Sequence, residues 1–113
     1  MNDTDKKKMA KAVRTGAKLL DRHHKGWFKK IVMKRLAMED CSACILGQLT
    51  DQFSEAVTSF WPDVRYPTRG LLIASHGFDI DHSWDIDAVE AYEELRQLWI
   101  EAIRARKTKA KAA

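Results

Sequence analysis

Residues 41–60, Cys41-Ser-Ala-Cys-Ile-Leu-Gly-Gln-Leu-Thr-Asp-Gln-Phe-Ser-Glu-Ala-Val-Thr-Ser-Phe60, decide the fold class. Ile45, Leu49, Phe53, Ala56 and Phe60 recur at helical spacing, and Leu46 and Val57 widen the stripe. The reading is one core helix across the whole stretch. Asp40 is its candidate N-cap, because a carboxylate can accept a free first-turn amide. Pro62 stands where the helix must stop. Gly47 and Gln48 interrupt this apolar pattern. A helix-interior glycine costs about 1 kcal/mol against alanine, so it implies a close backbone approach, expected from residues 27–38. Gln48 beside it can bond a neighbouring peptide group.

Outward from this stretch, the same period returns on both sides. Ala10, Val13, Ala17 and Leu20 form a stripe over residues 6–20. Residues 21–26 read as a turn, with Gly26 free to take a positive φ. Residues 27–38 are ambiguous: Ile31 and Met33 alternate as in a short strand, so a small extended segment is admitted there. Residues 68–76 form a short helix with Thr68 as N-cap. Gly77 occupies the left-handed stop position, and Phe78 would close it on Ile73. A last helix starts near residues 83–87, with Asp87 and Glu90 at capping-box spacing. Its apolar face is Val89, Tyr92, Leu95, Leu98, Trp99, Ala102 and Ile103. The expectation is an all-α, or nearly all-α, compact bundle of three longer helices and one short helix. Leu20, Ile45, Leu49, Phe53, Leu95 and Trp99 should be buried together. Residues 1–106 form one helical domain with a disordered start at 1–5, followed by a flexible basic tail at 107–113.

The chain of 113 residues is long enough for one core and too short for two. Its apolar runs fall well short of the roughly 20 residues a membrane span needs. Lys11, Arg14 and Lys18 break up any leader-like stretch after the basic start. A cytoplasmic protein is expected, with no membrane partner. The formal charge of +4 is unevenly placed. Residues 1–20 carry six basic and two acidic side chains, and residues 102–113 carry five basic and no acidic ones. Residues 21–101, with nine basic and fourteen acidic side chains, are net negative. The basic pI is therefore a property of the ends, with a further basic run at 22–35.

Cys41-Ser-Ala-Cys44 has the spacing of a zinc or redox pair. Zinc needs about two more ligands, and His76 and His82 are the candidates, more widely spaced than in a zinc finger. The redox reading wants a βαβ setting that the pattern lacks. The simpler reading places Cys44 in the core as a small apolar residue and leaves Cys41 as a surface thiol. Asp79, Asp81, Asp85 and Asp87 resemble a calcium loop, with Glu90 at position twelve, but Trp84 stands where glycine belongs. His23-His24 suits a turn. Phosphate loops, nucleophile elbows and metalloprotease helices do not occur. No metal, cofactor or catalytic residue is expected, and the chain is read as a non-enzyme.

Five blocks taken together carry a resemblance. They are Gly16-Ala-Lys-Leu-Leu-Asp21, Gly26-Trp27 followed by Ile31, and Cys44-Ile-Leu-Gly-Gln-Leu49. Gly77-Phe78-Asp79 follows, and then Tyr92-Glu-Glu-Leu95 leading to Trp99 and Ile103. The set resembles a group of small uncharacterised proteins of actinobacteriophages, mycobacteriophage type, and of their actinobacterial hosts. Thr50-Asp51-Gln52-Phe53 departs from that pattern, which continues with a Gly-Tyr type turn. The resemblance implies a phage-type context in a bacterial cytoplasm, and transfers no catalytic residue. The leading functional expectation is an accessory protein that binds a macromolecule of host or phage, with a protein partner placed first. The alternative is nucleic acid, held through phosphates. The basic side chains available for it are Lys6, Lys7, Lys8, Lys11, Lys29, Lys30, Lys34, Arg35, Lys107, Lys109 and Lys111. A third reading is a zinc or thiol module on the Cys pair. Oligomeric state is left open.

Overall fold

A computed structural model describes residues 1–50, 52–83 and 86–112. Six α-helices follow one another: α1 (Asp3–His23), α2 (Trp27–Lys30), α3 (Ile45–Thr50), α4 (Phe53–Phe60), α5 (Thr68–Ser75) and α6 (Ala88–Ala112). A 3₁₀ turn at Met33–Arg35 lies between α2 and α3. The fold is all-α, with no strand among the described residues. The ambiguous 27–38 segment resolves into the short helix α2, extended backbone at Ile31 and Val32, and the 3₁₀ turn.

Both ends depart from expectation. Asp3–Asp5 belong to α1, because Asn2 caps it by accepting from the Asp5 amide, and Asp3 and Asp5 face the positive end of the helix dipole. Residues 107–112 belong to α6: Ala, Lys and Thr offer no Gly or Pro stop, and the lysines suit a helix C-terminus.

The 41–60 helix is a third correction. It is two short helices, α3 and α4, with Gln52 in extended backbone as the N-cap position of α4. The single hydroxyl proton of Thr50 is shared between the carbonyls of Leu46 and Gln52, 2.9 and 2.8 Å from Oγ1, where the chain leaves the helical path. Because the stripe is broken, Leu49 and Phe53 are only half-buried at the rim, whereas Ile45 and Leu46 are in the core. Asp40 does not cap a helix either. Its carboxylate accepts from the amide and hydroxyl of Ser42 and so fixes the turn at 41–44.

Gly47 sits against that turn. A Cβ built there would lie 2.1 Å from the Cys41 carbonyl oxygen, so the close approach comes from Cys41–Ser42 and not from residues 27–38. The 27–38 segment is held by Gln48. Its Oε1 accepts from the Val32 amide at 2.6 Å, and its Nε2 donates to the carbonyls of Val32 and Ala43.

α5 ends as expected. Gly77 has φ 70°, the Phe78 amide bonds to Ile73 O, and the Gly77 amide bonds to Ala74 O, the two bonds of a Schellman stop. Thr68 is the first helical residue, with Pro67 at the N-cap position and no side-chain cap. Asp87 caps α6 by accepting from the Val89 and Glu90 amides. Glu90 pairs with the Met1 amino group. The Val89 side chain is 81% exposed, and Ala91 and Ile100 take core places instead.

α1 and α6 pack side by side and run parallel, since Met1 meets Glu90 at one end and Asp21 meets Arg106 at the other. Between them and α5 lies the core. Trp99 is fully buried and donates Nε1–H to Gly77 O at 2.6 Å. Its ring stacks on Phe78 and meets Trp27 edge to face. Gly16 lets α5 approach α1: a Cβ there would lie 1.9 Å from the His76 carbonyl oxygen.

Candidate functional site

The parallel packing of α1 and α6 sorts the basic side chains into separate places. Lys6, Lys7, Lys8 and Lys11 are exposed on the first turns of α1, beside the start of α6. Lys107, Lys109 and Lys111 lie on the last turns of α6, beside the C-terminal end of α1. At about 1.5 Å per residue, the two groups are separated by roughly 20 Å or more. They do not form one surface.

At the second end the structure joins what the sequence keeps far apart. Phe28, Lys29, Lys107, Ala110 and Lys111 line one open cleft of about 420 Å³. A second cleft of about 500 Å³, lined by Asp21, Phe28, Ala105, Arg106, Lys109 and Ala110, shares Phe28 and Ala110 with it. Gly26, with φ 76°, turns the chain out of α1 so that α2 lies against α6. Lys29 and Lys30 are exposed on α2. Lys34 and Arg35 are exposed on the 3₁₀ turn further along α6, which Arg96 holds by donating Nε–H to the Leu36 carbonyl. No acidic residue occurs in 22–35 or in 102–112.

Among the described residues that line these two clefts one carboxylate, Asp21, occurs, and it is already paired. Arg106 donates Nε–H to Oδ1 at 2.9 Å and Nη2–H to Oδ2 at 2.8 Å. Trp27 donates Nε1–H to Oδ1 at 2.9 Å. The Arg106 hydrogen bond holds the Asp21 carboxyl below its usual range, outweighing partial burial. The Arg106 guanidinium also lies 5.6 Å from the centroid of the Trp27 ring. This three-way junction of α1, α2 and α6 forms a wall of the second cleft, which Asp21 and Arg106 line, and Trp27 supports Phe28, the ring that both clefts share. Sequence reasoning missed the junction, because Arg106 and Asp21 are 85 positions apart and nothing local in the sequence pairs them.

The candidate metal ligands are scattered. Cys41 is exposed and Cys44 is buried. Cys44 Sγ accepts from the Gly47 amide at 3.3 Å, acting as a cap for α3, and burial pushes its thiol pKa up. A protonated, capped thiol is a poor nucleophile and a poor metal ligand. His76 stacks on Phe78 and leans on Trp61, with Nδ1 2.7 Å from Leu72 O. His82 is exposed and pairs with Asp79 at 3.1 Å. Among the described residues no three His, Cys, Asp or Glu side chains come together as a metal site.

Of the calcium-like run, Asp85 and Trp84 lie outside the described residues. Asp79 accepts from the Tyr92 hydroxyl at 2.7 Å and from the Ile80 amide at 2.8 Å. Burial, reinforced by Asp79, pushes the Tyr92 pKa well up. Asp81 accepts from the hydroxyl and amide of Ser83, which lowers its pKa. These carboxylates are engaged in local turns.

No described helix is long and apolar enough to cross a membrane. Comparison of the chain with protein-family models, with curated proteins and with solved structures finds no match.

Proposed function

We propose that this chain is a non-catalytic, phage-type accessory protein that binds a macromolecule, and that its working surface is the basic end formed by α2 and the last turns of α6. The ligand that suits this surface is nucleic acid. One observation carries the reading: Lys29, Lys107 and Lys111 line a single cleft with no carboxylate among its described lining residues. The sequence placed a protein partner first because the basic segments looked unconnected. Their convergence moves nucleic acid ahead. Lysines at the end of α6 also suit the helix dipole, but that accounts neither for Lys29 on another element nor for the aromatic ring between them.

The protein-partner reading keeps one observation of its own. Tyr66 and Leu71, 66% and 63% exposed, mark a face of α5 between two grooves of about 410 and 360 Å³. The test compares two variants of equal net charge, Lys29→Gln/Lys107→Gln/Lys111→Gln and Lys6→Gln/Lys7→Gln/Lys8→Gln. Gel shifts with DNA and RNA should show a loss of about tenfold or more for the first, as expected when several phosphate contacts go, and little change for the second. Equal losses would make the binding a general charge effect. No shift with wild-type protein at low salt would discard nucleic acid and direct attention to the Tyr66–Leu71 face.

A further inference from the structure

The geometry points to Phe28 as a stacking platform for the bases of single-stranded nucleic acid, with the phosphates held by lysines on both sides of its ring. This deepens the reading above and rests on it. Phe28 lines both clefts, so a strand passing from one to the other crosses its ring. On one side stand Lys29, Lys107 and Lys111, and on the other Lys109. The ring is half-buried and well supported. It meets the fully buried Trp27 ring edge to face, with centroids 6.1 Å apart, and Trp27 is itself pinned by Asp21 and covered by Arg106. The Lys29 ammonium lies over the Phe28 ring, 6.0 Å from its centroid; a base that takes its place on the ring leaves this flexible side chain next to the strand, in reach of a phosphate.

Cations alone would suit any polyanion. A partly exposed aromatic ring among them adds an interaction that only an unpaired base can use. A duplex keeps its bases inside the stack and offers phosphates alone. A single strand offers both, and stacking tolerates every base because each has a π-face. The surface therefore selects single strands over duplexes and shows little base preference.

Anisotropy titrations of the full chain test this. The probes are labelled thymidine and uridine homopolymers of about 20 nucleotides, longer than the roughly 4–16 that a small binding fold covers, and a duplex of equal length. Long-chain polyphosphate serves as a base-free competitor. The variant is Phe28→Leu, which keeps an apolar side chain against the core but removes the ring; a melting curve checks its fold, and Phe28→Tyr is the rescuing variant. The expected result is tighter binding of the homopolymers than of the duplex. Phe28→Leu should lose about tenfold or more on the homopolymers, with no change on the duplex, Phe28→Tyr should retain affinity, and polyphosphate should compete poorly. If single strand, duplex and polyphosphate bind alike and Phe28→Leu changes nothing, the stacking role is overturned while the basic surface stands. If Phe28→Leu is unfolded, wild-type protein and Phe28→Tyr that bind the duplex as tightly as the homopolymers overturn it equally. If no nucleic acid binds wild-type protein at low salt, the underlying reading falls with it.

Discussion

Gly16 decides how closely α1 and α5 approach. By helix propensity alone, Gly16→Ala should stabilise by up to about 1 kcal/mol. The new methyl, however, would meet the backbone oxygen of His76 at 1.9 Å, and beyond it the Trp99 ring at 3.2 Å. Backbone cannot rotate away as a long side chain can, so two helices must separate. Overpacking of this kind costs about 1–3 kcal/mol, and the clash wins. Urea unfolding of Gly16→Ala should show a net loss of about 1–2 kcal/mol; a gain would mean the helices are not in this contact. Asp21 gives a second residue-level expectation, with a sign in pH. Its carboxyl pKa is lower in the folded chain than the ordinary 3.8, so its contribution is present above that value and is lost as pH falls through the folded value. Asp21→Asn should lower stability at neutral pH by about 1 kcal/mol, a modest figure because the pair is partly exposed. The gap to wild type should close as pH drops below about 4. A gap that persists at low pH would show that shape, and not the charge of the carboxylate, is what Asp21 supplies.

At the level of elements, periodicity made α1, α5 and α6 legible, and the Gly77–Phe78 stop of α5 could be read bond for bond. What could not be read were the points where a side chain overrides the local pattern. Thr50 stands where 41–60 divides into two helices, its one hydroxyl proton shared between a carbonyl behind it and one ahead. Gln48 was recognisable as out of place in an apolar stripe, but its grip on Val32 is 16 positions away. Gly47 was read correctly as a close approach and assigned to the wrong neighbour, because Cys41–Ser42 was taken as helix. Gln48 supports the prediction proper to this scale. Gln48→Ala should release the exposed Val32 peptide group to water and cost about 1 kcal/mol. Hydrogen exchange at the Val32 amide should accelerate well beyond the global change. Unaltered protection there would mean that residues 31–36 are held from elsewhere, the Arg96 bond to Leu36 being the first alternative.

For the molecule as a whole, the candidate surface was half legible. Its lysines stand out in the sequence, but their grouping does not, because it depends on α1 and α6 running parallel and on α2 folding back onto the end of α6. Eleven candidates therefore divide: Lys29, Lys107 and Lys111 share a cleft, Lys109 adjoins it, Lys30 is exposed close by on α2, Lys34 and Arg35 lie along α6, and Lys6–Lys11 stand at the far end. Removing residues 107–113 should separate binding from folding. Arg106 and its bond to Asp21 remain, and no fully buried side chain is lost, so the melting temperature should change little while nucleic-acid affinity disappears. The most direct test of the central claim is the salt dependence of affinity for a single-stranded oligonucleotide, in wild-type protein and in Lys29→Gln/Lys107→Gln/Lys111→Gln. Each phosphate contact on a single strand contributes about 0.7 to the slope of log affinity against log salt. The account predicts that the slope of the variant is shallower by about 2. An unchanged slope, or the same reduction in Lys6→Gln/Lys7→Gln/Lys8→Gln, would contradict it.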